Sequence, residues 1–164
     1  GLDLEKSENN FDPDAYRNYL DSNIWFHKDT QEALVLIDAK VPIAILGFET
    51  DQNIWQVKQL QCFTDFRLGY NWAQLLYKTI LDTAKQQGCD RVTVVPARLN
   101  FWYLDETDVD KRRDLLTRLS VYYDLVPKKL GAKMASKEDI IRHVTSGFKT
   151  EPPFHEFDVT TYEE

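Results

Sequence analysis

Three consecutive apolar, β-branched runs lead straight into one long segment of helical periodicity, and a fourth short run follows it. That order constrains the chain more than any single motif does. Ala33 to Ile37 and Pro42 to Phe48 are joined by Asp38-Ala39-Lys40, which reads as an antiparallel hairpin. Ile54 to Phe63 (IWQVKQLQCF) has mixed alternation and reads as a third, longer strand. Between Gly69 and Gly88, apolar residues at Ala73, Leu76, Tyr77, Ile80 and Ala84 recur at helical spacing. Gly88 sits where a C-terminal glycine cap belongs. Arg91 to Val95 is then a short, nearly continuous apolar strand ended by Pro96, the pattern of a strand covered on both faces.

The flanks are simpler. Residues 1–10 are polar and expected to be loosely held, and Asp12-Pro13 opens a short helix to about Leu20. Asn100 to Asp110 is an aromatic, then acidic, connection. A helix follows over roughly Lys111 to Leu125, ended or kinked by Pro127. Ser136 starts another to about Thr145, and Phe154 to Tyr162 alternates as a last strand. A meander feeding a βαβ unit predicts an α/β domain of the α+β type, with a mixed, mostly antiparallel sheet and helices on both faces. The 164 residues fit one such domain.

The net charge of −7 argues against a nucleic-acid binder, and Lys111-Arg112-Arg113 and Lys128-Lys129 are each interleaved with acids. It favours, weakly, a cationic substrate or partner. Cys62 and Cys89 form neither a disulfide framework nor a CxxC site. His27, His143 and His155 lack ligand spacing, so no metal is expected. His155-Glu156 reads as an exposed strand face. No run of 18 apolar residues and no signal-peptide pattern is present, so the chain reads as cytoplasmic, with no membrane partner. GxSxG, Walker-type and GxGxxG motifs are absent.

Three segments carry a likeness to a known family. Gln59-Leu60-Gln61-Cys62-Phe63-Thr64-Asp65-Phe66-Arg67 resembles the fourth strand and acyl-CoA loop of the GNAT superfamily of acyl-CoA-dependent N-acyltransferases. Phe66-Arg67-Leu68-Gly69-Tyr70-Asn71-Trp72-Ala73-Gln74-Leu75-Leu76 resembles that family's loop-to-helix segment. Asp124-Leu125-Val126-Pro127-Lys128-Lys129-Leu130-Gly131-Ala132-Lys133 resembles its segment near the acyl group. The likeness covers roughly residues 33–134, and residues 135–164 would add a helix and the last strand.

The resemblance implies transfer of an acyl group from acetyl-CoA, or a related acyl-CoA, to an amine by direct attack, without metal. The acceptor would be an amine-bearing small molecule or a protein lysine or N-terminus, and the resemblance also admits a homodimer. It places the pyrophosphate on the unpaired N–H groups of a helix N-terminus, over Arg67, Leu68, Gly69, Tyr70, Asn71, Trp72 and Ala73, with Arg67 adding a charge-assisted contact. The thioester carbonyl would be polarised by strand backbone at Cys62, Phe63 and Thr64. Glu49 and Asp65 are the base candidates. The family's tyrosine acid falls on Pro127 when Leu130-Gly131 is aligned, so Tyr123, one turn upstream, is the candidate; the other reading makes Tyr122 and Tyr123 helix-face packing residues.

The cofactor loop departs from the family pattern. Aligned on Leu75-Leu76, Tyr70 and Trp72 stand where the family has small residues. The alternative reading is therefore a catalytically inactive module that binds a protein partner through Phe101-Trp102-Tyr103 and the acidic run from Asp105 to Asp110, its CoA cleft blocked by Trp72 and Tyr70. A third reading is a binder of hydrophobic ligands or CoA derivatives without transfer activity.

Overall fold

The computed structural model describes residues 3–6, 32–38, 40–62 and 72–164. Six strands form one sheet in sequence order: β1 (Asp3–Lys6), β2 (Glu32–Asp38), β3 (Val41–Asp51), β4 (Ile54–Cys62), β5 (Arg91–Val94) and β6 (His155–Asp158). All neighbours are antiparallel except β4 and β5, which run parallel. The expected mixed, mostly antiparallel architecture is therefore present.

Residues Asp3–Lys6, expected to be loose, pair with Leu34–Ile37 of β2. Ladder pairing is a backbone matter, so a polar sequence can still edge a sheet whose neighbour is apolar. The helix expected from Asp12 lies outside the described residues.

Helix α1 (Trp72–Gln86) makes the single long crossover from β4 to β5. Its apolar stripe, including Ala73, Leu76, Tyr77, Ile80 and Ala84, is buried against the sheet. Gly88, at φ +75°, ends it: the Cys89 and Gly88 amides return to the carbonyls of Ala84 and Lys85. That left-handed residue is glycine because a Cβ would strain the turn.

Three short helices follow β5 and a 3-10 turn (Ala97–Leu99). They are α2 (Phe101–Asp105), α3 (Val109–Ser120) and α4 (Val126–Lys129), with α3 and α4 joined through a π-helical turn, Val121–Leu125. Helix α5 (Lys137–Thr145), capped by the Ser136 hydroxyl on the Asp139 amide at 3.1 Å, precedes β6. Helix α3 starts two residues ahead of the sequence expectation because Asp108 caps it, accepting from the Lys111 amide at 3.0 Å. The aromatic connection is itself helical, capped by Asn100, which accepts from the Trp102 amide at 3.0 Å.

Pro127 does not end the helical stretch. A π-turn pairs residue i with i+5, so the Tyr122 carbonyl would look to residue 127, which has no N–H. The hydroxyl of Tyr77 donates to that carbonyl instead, at 2.8 Å. Helix α1 thus satisfies the group that the proline leaves unpaired. Strand β6 stops at Asp158, short of the expected Tyr162, because the Asp158 carboxylate accepts from the Thr160 amide at 3.0 Å and closes a turn. Among the described residues no helix is long and apolar enough to cross a membrane.

Candidate functional site

The parallel ladder between β4 and β5 is short. It runs from Ile54↔Arg91 to Val57↔Val94, after which β5 ends while β4 continues to Cys62. A bulge sits at the same level: Phe48 faces Val57 and Gly47 faces Gln59, so Lys58 is the extra residue on β4. The bulge explains the mixed alternation of IWQVKQLQCF, since an inserted residue exchanges the two faces of the strand. Beyond it, β4 leaves β5 and presents backbone into a splay.

Tyr123 fills that splay. Its hydroxyl accepts from the Leu60 amide at 2.8 Å and faces the Leu60 carbonyl at 3.4 Å. The side chain is fully buried. Burial pushes its phenol up to about 12, and hydrogen bonds from the Leu60 backbone and the Asn100 side chain partly offset that rise. Asn100 therefore serves twice: its oxygen caps α2, and its side chain lowers the Tyr123 phenol against the rise from burial.

The π-turn delivers this tyrosine. The turn is fixed from three sides: by Tyr77 on the Tyr122 carbonyl, by the Trp72 ring 4.8 Å from the Tyr122 ring, and by Asp124. One Asp124 oxygen accepts from the Ala97 amide at 3.1 Å and lies 2.8 Å from His155 Nε2. His155 Nδ1 accepts from the Ala135 amide at 3.0 Å, which assigns the ring proton to Nε2. His155 is 2% exposed. The exposed strand face expected there is corrected: His155, Phe157 and Val159 form the buried phase, and Glu156 and Asp158 the outer one.

The other sequence candidates divide by location. Phe63, Thr64, Asp65, Arg67, Leu68, Gly69, Tyr70 and Asn71 lie outside the described residues. Cys62 ends β4 opposite Ala44, with burial raising its thiol. The bulge lies at Lys58 and the tyrosine-bound amide at Leu60, both ahead of the Cys62 to Thr64 edge. Trp72 opens α1 as a core residue, 8% exposed, and Ala73 is fully buried. The first turn of α1 carries no acidic residue, which leaves the positive end of its dipole uncompensated from within the helix. Glu49 faces Gln56 across β3 and β4 and pairs with Lys58 at 3.4 Å.

On the other face of the sheet the same divergence opens into a cavity of about 380 Å³. Gln56 and Lys58 of β4 and Val95, the residue after β5, form its floor. Val57 and Val94, their neighbours in sequence, lie in the core with Tyr123 and α1. Strand neighbours point to opposite faces, so tyrosine and cavity approach one splay from opposite sides. Among the described residues no three His, Cys, Asp or Glu side chains are grouped to hold a metal ion.

Asn100, Asp124 and His155 were not singled out as site residues by sequence reasoning. Asn100 did carry a signal, an N-cap residue just ahead of an aromatic helical turn. The Asp124–His155 contact spans 31 residues and left none.

No protein-family model and no curated protein matches the sequence. Solved structures do match. N-acetylglutamate synthase from Neisseria gonorrhoeae, complexed with coenzyme A and N-acetyl-glutamate, aligns with 97% of this chain at 10% identity and a TM-score of 0.56; the chain spans 35% of that protein's length. An acetyltransferase of the GNAT family from Staphylococcus aureus Mu50 aligns over 97% of this chain and 99% of its own, at 11% identity and a TM-score of 0.55. The catalytic domain of the Tetrahymena Gcn5 histone acetyltransferase, in complex with coenzyme A, aligns over 100% and 95%, at 11% identity and a TM-score of 0.51. The chain has the GNAT fold.

Proposed function

We propose that the chain is an acyl-CoA-dependent N-acyltransferase that passes an acyl group directly to an amine at the β4–β5 splay. The observation that carries this is the Leu60 amide, which lies beyond the β5 ladder and is held by an ionisable hydroxyl. A backbone N–H at a strand edge can polarise a thioester carbonyl as charge develops, once the carbonyl takes the place of the Tyr123 hydroxyl to which the Leu60 amide now donates. A protonated phenol beside it can supply the proton that a leaving thiolate needs, and Tyr123, pushed up to about 12, carries its proton at neutral pH. The acidic-residue-free first turn of α1 suits the phosphates of the acyl donor. Glu49, on the cavity side beside Lys58, is the described carboxylate best placed to take the amine proton, directly or through water.

The test is thiol release from acetyl-CoA in the presence of small-molecule amines, with Tyr123→Phe as the variant. Loss of a general acid costs about 10²–10⁴ in rate. A fall of that size, with coenzyme A binding retained, supports the role. Absence of thiol release together with absence of acetyl-CoA binding at millimolar concentration would sink the proposal.

One observation favours the inactive module instead. Tyr123 already engages the Leu60 amide, and Trp72 is packed on Tyr122 between α1 and the π-turn. On that reading, the closed splay leaves the fold as a scaffold for a protein partner. It requires that coenzyme A affinity be absent from the parent and appear when Trp72 and Tyr70 are replaced by glycine.

A further inference from the structure

The geometry points to the 380 Å³ cavity as the acceptor subsite, selective for a compact amine that carries an apolar or aromatic body and one carboxylate, the class of a hydrophobic amino acid. The word acceptor rests on the transferase reading; the binding preference does not. The volume falls in the range of about 300–1,000 Å³ that holds small molecules and is too small for a folded partner.

The lining sets the chemistry. Leu99, Leu104, Phe148, Pro152 and Phe154 line it, so a ligand body is received by apolar surface. Phe148 is held edge-on against the His143 ring, at 5.4 Å, and His143 Nδ1 lies 2.9 Å from the Thr150 hydroxyl. Phe148 is therefore held against α5 at the cavity's edge.

Lys58 is the cation of the described lining. Its ammonium has three donors, and the Glu49 contact at 3.4 Å is longer than a close charge-assisted bond of about 2.7–2.9 Å. Lys58 can therefore accept a ligand carboxylate while it keeps Glu49 near. The same charge repels a ligand with a second cationic end. Polyamines and a lysine side chain are disfavoured, although the net charge of −7 would attract them from a distance. At the carboxylate end Lys58 decides, because it acts at contact range with Glu49 held in its ion pair, while exposed charges farther off are screened by salt.

Because Lys58 is the bulged residue, its side chain stands at the point where β4 leaves β5. A carboxylate anchored there sets an α-amine close to the splay.

The experiment is calorimetric titration of the unmodified chain, without acyl-CoA, using five probes. These are L-phenylalanine, 3-phenylpropionate, phenethylamine, L-lysine and spermidine. L-phenylalanine and 3-phenylpropionate are expected to bind more tightly than the other three. Lys58→Met should weaken L-phenylalanine and 3-phenylpropionate by about tenfold or more and should not weaken phenethylamine. Lys58→Gln serves if the methionine variant does not fold. Phe154→Ala should weaken all three aromatic probes. Binding of lysine or spermidine at equal affinity, a carboxylate preference that survives the loss of Lys58, or no binding of L-phenylalanine at millimolar concentration would each overturn the inference. Binding without any acyl transfer would remove the transferase reading alone. Acyl transfer to amines that ignore this lining would remove this inference alone.

Discussion

Replacing Tyr123 with phenylalanine removes one oxygen and keeps the ring. In the native chain that oxygen accepts from the buried Leu60 amide at 2.8 Å. The ring stays in the core, so no large cavity opens and the cost comes from polar groups left without a partner. An orphaned buried donor costs about 1–3 kcal/mol. For a chain of this size each kcal/mol moves the melting midpoint by about 2–4 °C. Tyr123→Phe should therefore lower the midpoint by about 2–12 °C in differential scanning calorimetry. Tyr122→Phe provides the control, because the Tyr122 backbone carbonyl is the group used by Tyr77 and survives that change. Its expected effect is within about 0.5 kcal/mol. Native-state hydrogen exchange adds a local reading, since the Leu60 amide should exchange faster in Tyr123→Phe than in the parent. Equal stability and unchanged exchange at Leu60 would refute the claim that this hydroxyl holds the Leu60 amide.

Alkaline pH should act through the same residue. The Tyr123 phenol lies at about 12 in the folded chain against an ordinary 10.0, so the native state holds the proton more tightly. The stability this contributes, about 3 kcal/mol, is complete below pH 10 and is lost as pH rises toward and through 12. Tyr77, also raised by burial, adds in the same direction. The fall above pH 10 in denaturant titrations should be shallower in Tyr123→Phe than in the parent. A separate double-mutant cycle tests the π-turn. Tyr77→Phe should cost about 1–3 kcal/mol in the parent and less in a Pro127→Ala background, where residue 127 regains an N–H for the Tyr122 carbonyl. Additive effects would show that the proline and the tyrosine are independent. Trp72→Ala should cost about 3–5 kcal/mol, because its indole is a core side chain on Tyr122. A cost near zero would place the ring outside the core.

The sheet and the long helix were legible because their signals are periodic. The hairpin runs, the stripe from Ala73 to Ala84 and the glycine at 88 each follow from local geometry, and each falls within a few residues of its expected place. The site was only partly legible. Tyr123 stood out through the GNAT likeness, yet its contact with Leu60 spans 63 residues and depends on a bulge and a π-turn. Both are single-residue irregularities that periodicity blurs. The mixed alternation around Lys58 recorded the bulge, and Pro127 recorded the π-turn, but neither said which partner would answer it. Tyr77 answers the proline, and Tyr123 answers the strand edge left by the short β5. His155 was misplaced for a simpler reason: a four-residue strand gives two possible phases, and a histidine does not favour the buried one.

The central claim, that the β4–β5 splay at Leu60 and Tyr123 is where an acyl thioester meets this fold, is tested most directly by titrating acetyl-CoA into ¹⁵N-labelled protein. Saturable shifts centred on the Leu60 amide and its β4 neighbours are expected, with the Leu60 shift altered in Tyr123→Phe. Saturable binding that leaves Leu60 unmoved, or no binding at millimolar acetyl-CoA, would contradict it.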